Sequence, residues 1–274
     1  MSFSTSGFGQ ITPAVKNLII INVLAWLATA VLKTQMSINL NDSLGLHCFM
    51  SGKFSPIQLL TYMFLHGGFS HLFFNMFAVF MFGRIIEQTL GTSRFVVYYF
   101  VTGIGAGLIN MLAQYYDILP MIQSIDLCMS EPTTANLDAL IGKYGAVSFE
   151  SQRLVSGFVS SYNGLINSDP AAATSIAREF LVQYQEAYID AHVTIGASGS
   201  VFGVLLAFGM LFPNMYLMLL IPPIPIKAKY FVIGYAVIEL FMGVQNFAAD
   251  NIAHWAHLGG MLFGFLLIKF WQKH

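Results

Sequence analysis

Charge is scarce in this sequence. Asp, Glu, Lys and Arg make up 9% of its 274 residues and 56% are hydrophobic, whereas about a quarter of a soluble domain is charged. That scarcity excludes an ordinary water-soluble globule. Charge runs, low-complexity tracts and internal repeats are also missing. The lack of two related halves argues against a small transporter or channel, which would show paired broken helices. Cysteine is limited to Cys48 and Cys128, too few for a disulfide framework. Both fall on the same side of the topology derived below, so one bridge and two thiols packed among apolar neighbours are both open. The HExxH signature of helical zinc proteases is absent.

What the sequence does have is long apolar runs. A helix needs about 20 mostly apolar residues to cross a bilayer core. Six runs approach that length, at 15–32, 69–90, 94–115, 196–212, 228–244 and 252–271. The first reads as a span and not as a cleavable signal, because Thr12 and Pro13 precede it and no small-residue cleavage site follows.

An even number of spans puts both ends on one side. If that side is cytoplasmic, the inner segments carry Lys16, Arg84, Arg94, Lys227, Lys229, Lys269 and Lys273 against one acid, Glu87. Nearly all other acids fall outside, which fits the positive-inside rule. The expectation is a multi-pass integral protein of a bacterial-type inner membrane with both termini cytoplasmic.

By parity the segment 116–195, of ordinary soluble composition, lies outside as a folded insert between the halves 1–115 and 196–274. Within it Asp169 fits an N-cap and Pro170 the first helical position. Ile176, Phe180, Leu181 and Tyr184 follow at helical spacing. A second helix is expected around 136–160, interrupted by Gly142, Gly145 and Gly157.

Polar side chains in spans tend to face the protein interior and often mark function. They are His66, His71 and Asn75 near the second span, Ser198 and Ser200 in the fourth, Glu239 in the fifth, and His254 and His257 in the sixth. His71 and Asn75, four apart, share a helix face; taken alone, they read best as hydrogen bonds to a neighbouring helix. Gly199 and Gly203 strip the bulk from one face of the fourth span, as Gly260 and Gly264 do for the sixth. Two such faces packing together would bring Ser198 opposite His257. A hydroxyl becomes a useful nucleophile when a base within reach takes its proton, and histidine is suited to that task. His71, Asn75 and the Ser198 amide would then be available to a developing oxyanion.

In combination, "HGGFSHLFFN" (66–75), "GASG" (196–199) and "AHLGGMLFG" (256–264) resemble the rhomboid family of intramembrane serine proteases. "FGRIIEQTLG" (82–91) and "IPIKAKY" (224–230) resemble its inner loops. The resemblance implies an all-α membrane protein, a six-transmembrane-helix bundle with the helical insert between the third and fourth spans. It implies Ser198 as nucleophile and His257 as base in a dyad without an essential third acid. Asn75, His71 and the Ser198 amide would be the oxyanion donors, and His66 would shape the outer loop. Its partners would be transmembrane protein substrates and the lipid bilayer, with no nucleic acid, metal or organic cofactor, and the site would open on the extracytoplasmic side.

Three departures stand out. Where the family often carries a Trp-Arg pair, this chain has Ile57 and Gln58. Phe202 replaces the tyrosine often found one turn after the nucleophile, and the insert is unusually long. His254 and His257 form H-x-x-H, but a metal would want a third ligand, so His254 is expected at the water-facing end, bonding backbone or solvent. Glu239 could tune a proton or face the entry path of a substrate, but reads better as a protonated or water-paired glutamate with a structural bond. The segment Phe241 to Asp250, with Gln245, Asn246 and Phe247, is a candidate cap over the site. The rival reading is a non-catalytic relative that binds client helices; retention of both Ser198 and His257 argues against it.

Overall fold

A computed structural model describes residues 11–145, 148–218, 223–245 and 252–273. The chain divides into two compact units. One comprises Met1–Leu46, Ser55–Asn110 and Thr194–His274; the other comprises His47–Phe54 and Met111–Val193.

The first unit opens with α1 (Pro13–Met36), which starts on a proline at its first turn, where the missing N–H costs nothing. The side chain of Glu87 holds this helix end. Its two carboxylate oxygens accept the backbone N–H groups of Ala14 and Val15, each at 3.0 Å, and one of them also accepts the Thr92 hydroxyl at 2.8 Å. A buried carboxylate is therefore spent on amide groups that no helix can satisfy internally.

Two short helices, α2 (Leu40–Leu44) and α3 (Gln58–Thr61), follow. Gln58 is buried and joins them: it accepts from the Ser55 amide at 3.2 Å and donates to the Ser43 carbonyl at 3.3 Å. Next comes a helical stretch, Phe69–Leu90, made of α4 (Phe69–Ala78), a π-turn over Val79–Gly83 and α5 (Arg84–Leu90). It leads into α6 (Thr92–Ser130).

The third span is expected to meet the insert near Tyr115 and Asp117; α6 itself runs on to Ser130 with Pro120 inside it, and the division between the units falls within it.

In the second unit the remaining helices are α7 (Thr134–Tyr144), α8 (Phe149–Leu165) and α9 (Pro170–Asp190). The helix expected over 136–160 is thus two, parted after Gly145, and the second begins with a capping box at Ser148 and Ser151. Asp169 caps α9 by accepting the Ala172 amide at 3.0 Å, as its sequence indicates. Phe158 and Phe180 stack at 4.1 Å within a core that includes Leu137, Leu181 and Tyr184. Cys48 and Cys128 are both buried in that same core as free thiols. Asp190 ties down the 47–54 segment, accepting the Ser51 hydroxyl at 2.5 Å and pairing with Lys53 at 3.6 Å.

The first unit resumes with α10 (Ser198–Leu211), a short antiparallel hairpin of Tyr216–Met218 with Pro225–Lys227, α11 (Ala228–Gln245) and α12 (His254–Lys273). Among the described residues four helical stretches are long and apolar enough to cross a membrane: Pro13–Met36, Phe69–Leu90, Thr92–Ser130 and Ala228–Gln245. Their outward faces carry Ile20, Leu24, Phe73, Phe77, Val237, Ile238 and Phe241 exposed, a surface suited to acyl chains and not to water. The proposed cap residues Asn246 and Phe247 lie outside the described residues.

Candidate active site

Ser198 is the first residue of α10, and the backbone enters that helix through Gly196 at φ 127°, a conformation that favours glycine. The Gly196 amide donates to the Tyr62 carbonyl at 2.9 Å. A Cβ at Gly196 would sit 2.7 Å from His71 Nε2 and 3.8 Å from Ser198 Oγ. The absent side chain therefore leaves room for the imidazole of α4 beside the serine at the start of α10.

The glycine faces of α10 and α12 do meet. A Cβ on Gly260 would run into the Gly199 carbonyl oxygen, and one on Gly264 would lie 3.4 Å from Gly203 Cα. At this crossing the His257 ring lies flat on Phe202, with centroids 4.1 Å apart and planes 6° from parallel. Phe202 is one turn after Ser198, so the imidazole rests on the helix face that carries the serine. His257 makes its ring hydrogen bond through Nδ1 to Glu239 and none to Ser198. Such bonds often tighten only when substrate is bound.

Glu239 projects from α11 as a buried residue between the exposed Ile238 and Leu240. Its Oε2 lies 2.9 Å from His257 Nδ1 and 2.6 Å from His254 Nδ1. This corrects the expectation for His254. It is 8% exposed instead of water-facing, and its Nδ1 meets a carboxylate. The third group that H-x-x-H lacked in the sequence is therefore present. One atom from each of Glu239, His254 and His257 lies within 4.8 Å of the others, a spacing that a metal ion could bridge.

On α4, the Gly67 amide approaches His71 Nδ1 at 3.4 Å. A nitrogen that accepts leaves the proton of a neutral ring on the other one, so Nε2, the atom nearest Gly196, is the donor. Asn75 is 5% exposed and gives one side-chain N–H to the His71 carbonyl at 3.0 Å, keeping the second. His66 is buried edge-on to His71, with centroids 5.0 Å apart.

Ser200, the other serine in the motif, donates to the Tyr99 carbonyl at 2.8 Å and fastens α10 to α6. Tyr98 adds a bond from its hydroxyl to the Gly203 carbonyl at 2.7 Å. Sequence reasoning missed Gln58 as a loop tie and Glu87 as a helix clamp. The only signal for either was a polar residue in an apolar setting.

A short helix that opens on a serine is crossed at glycines by a second helix bearing a buried histidine, in a helical protein with stretches long and apolar enough to cross a membrane. Comparison with known proteins says which family this is. The family model described as "Rhomboid domain" matches residues 53–122 and 139–273, and the chain belongs to the rhomboid family.

Among curated proteins it is similar to RHOMBOID-like protein 6, mitochondrial, of Arabidopsis thaliana, 40% identical over 55 residues, covering 20% of this chain and 18% of that one. It is also similar to the rhomboid protease AarA of Providencia stuartii, 39% identical over 56 residues and 20% of each chain. The matched segments thus span about a fifth of these relatives. No solved structure matches.

Proposed function

We propose that this chain is an intramembrane serine endopeptidase that cuts transmembrane segments of other membrane proteins. The observation that carries the reading is the stacking of His257 on the helix face that presents Ser198. The α10 helix has 14 residues, about 21 Å of rise against a hydrocarbon core of about 30 Å. In a six-span bundle with its far end at the inner surface, its serine end lies below the outer one.

Ser198 Oγ attacks the scissile carbonyl while His257 Nε2 takes the hydroxyl proton. The carbonyl electron pair moves onto oxygen, where His71 Nε2–H, the free Asn75 N–H and the Ser198 amide receive it. As the C–N bond breaks, the leaving amine takes the proton from Nε2. Water then releases the acyl-enzyme by the same path in reverse. No metal or cofactor is required. The setting is a bacterial-type inner membrane, with both termini in the cytoplasm and the site opening on the far side.

Purified protein in detergent, incubated with a model transmembrane substrate, tests this reading. Cleavage is expected in the wild type and lost in both Ser198→Ala and His257→Ala, with thermal unfolding preserved. A fluorophosphonate probe should label the wild type and not Ser198→Ala. Equal cleavage by Ser198→Ala would remove the nucleophile.

A further inference from the structure

We propose that Glu239 is a positioning residue for His257, making the site a relay of carboxylate, imidazole and hydroxyl; this rests on the protease reading above. Three observations converge on it. Glu239 is buried on the α11 face that also buries Val232, while Ile238, Leu240 and Phe241 around it are exposed. An ionisable group in such a helix points inward to a partner. Gly243, one turn further along, lets the helices approach closely: a Cβ there would lie 3.3 Å from His254 Cβ and 3.4 Å from Trp255. That approach brings His254 and His257, one turn apart on α12, onto a single carboxylate oxygen at 2.6 and 2.9 Å.

The hydrogen-bond chemistry then fixes the protons. A protonated carboxyl oxygen could give its one hydrogen to only one ring and would need the other ring to donate. An ionised oxygen accepting Nδ1–H from both rings satisfies every group at once. With Nδ1 holding its hydrogen toward Glu239, the lone pair of His257 lies on Nε2, and Phe202 sets the plane of the ring. When Nε2 takes the serine proton, the resulting imidazolium faces a carboxylate. Glu239 itself stays ionised, and the proton goes on to the leaving amine. His254 supplies the second donor that keeps a carboxylate stable so far from water.

The test uses full-length protein in detergent, with Glu239→Gln, Glu239→Asp, His254→Ala and the double variant Glu239→Gln/His254→Ala. Three measurements are made on each: cleavage kinetics, the rate of fluorophosphonate labelling at Ser198, and thermal unfolding. Glu239→Gln should lower kcat about a hundred- to ten-thousandfold, the scale of losing the orienting carboxylate of a catalytic triad. KM should stay near the wild-type value, and labelling should slow in parallel. Glu239→Asp should recover part of the loss. The double variant should be no worse than Glu239→Gln, because His254 acts through the carboxylate.

Wild-type kcat and labelling rate in a folded Glu239→Gln would overturn the proposal, and so would zinc that co-purifies with the wild type and is lost from Glu239→Gln. If Glu239→Gln does not fold, the labelling rates of Glu239→Asp and His254→Ala decide: slowing in both supports the relay and wild-type rates in both overturn it. An active Ser198→Ala sinks the protease reading instead; loss of activity in Ser198→Ala alone sinks only the role of Glu239.

Discussion

At residue scale, small side chains decide where large ones act. Gly196 makes room for His71 beside Ser198, and His71 in turn receives Asn75 through its carbonyl. Asn75→Ala removes both that bond and the free N–H. Turnover should fall about ten- to a thousandfold, as for loss of one oxyanion donor; unchanged turnover in the substrate assay would leave Asn75 a packing residue. The thiols give a second check. Denatured, unreduced protein should take up alkylating reagent at both Cys48 and Cys128, read as a mass increase for two adducts, since both are free in an apolar core.

His192, outside the spans, is a third case. Burial lowers its pKa, outweighing the raising effects of the Tyr188 carbonyl, 2.8 Å from Nδ1, and of Asp117. The unfolded chain therefore binds the proton first. This contribution to stability is complete above the ordinary histidine value of about 6.5 and is lost as pH falls through that value toward the lower folded one. Between pH 8 and 5.5 the thermal midpoint should drop further in the wild type than in His192→Gln.

At element scale, two contacts set the bundle. The α10 and α12 crossing rests on backbone touching backbone, so Gly260→Ala has no flexible side chain to displace. Overpacking of this kind costs about 1–3 kcal/mol, and thermal unfolding in detergent should show a lower midpoint with reduced activity. An unshifted midpoint would mean that the two helices have room to part. The N-terminus of α1 rests on Glu87, whose carboxylate accepts three hydrogen bonds. Stranding those buried donors in Glu87→Ala costs about 1–3 kcal/mol, and Glu87→Gln, which keeps one acceptor oxygen, should lie between. The residues on either side of these contacts were visible in the sequence; Gly260 could be assigned from its spacing to Gly264, whereas Glu87 read only as the one acid among inner basic residues.

At the scale of the whole molecule, two solvents shape one chain. The first unit turns isoleucine, leucine and phenylalanine outward, and the second keeps a separate core of aromatic and aliphatic residues. The proposed topology puts Lys269 and Lys273 at a cytoplasmic end, so a reporter that works only in the cytoplasm should be active when fused after Lys273; activity of one that works only on the opposite side would reverse that topology.

Residue order alone specifies the apolar runs, the start of α9 at Asp169 and Pro170, and the glycine spacing of the two crossing helices. Each depends on neighbours within a turn or two, where helical periodicity converts residue order directly into a shared face. The folded chain adds that α6 continues to Ser130, that Glu87 closes α1 from more than seventy residues away, and that Glu239 gathers His254 and His257 onto one oxygen. Those outcomes turn on which buried polar groups meet when separate helices pack. A lone carboxylate in an apolar run announces that it needs a partner, and the packing of helices supplies the partner's identity.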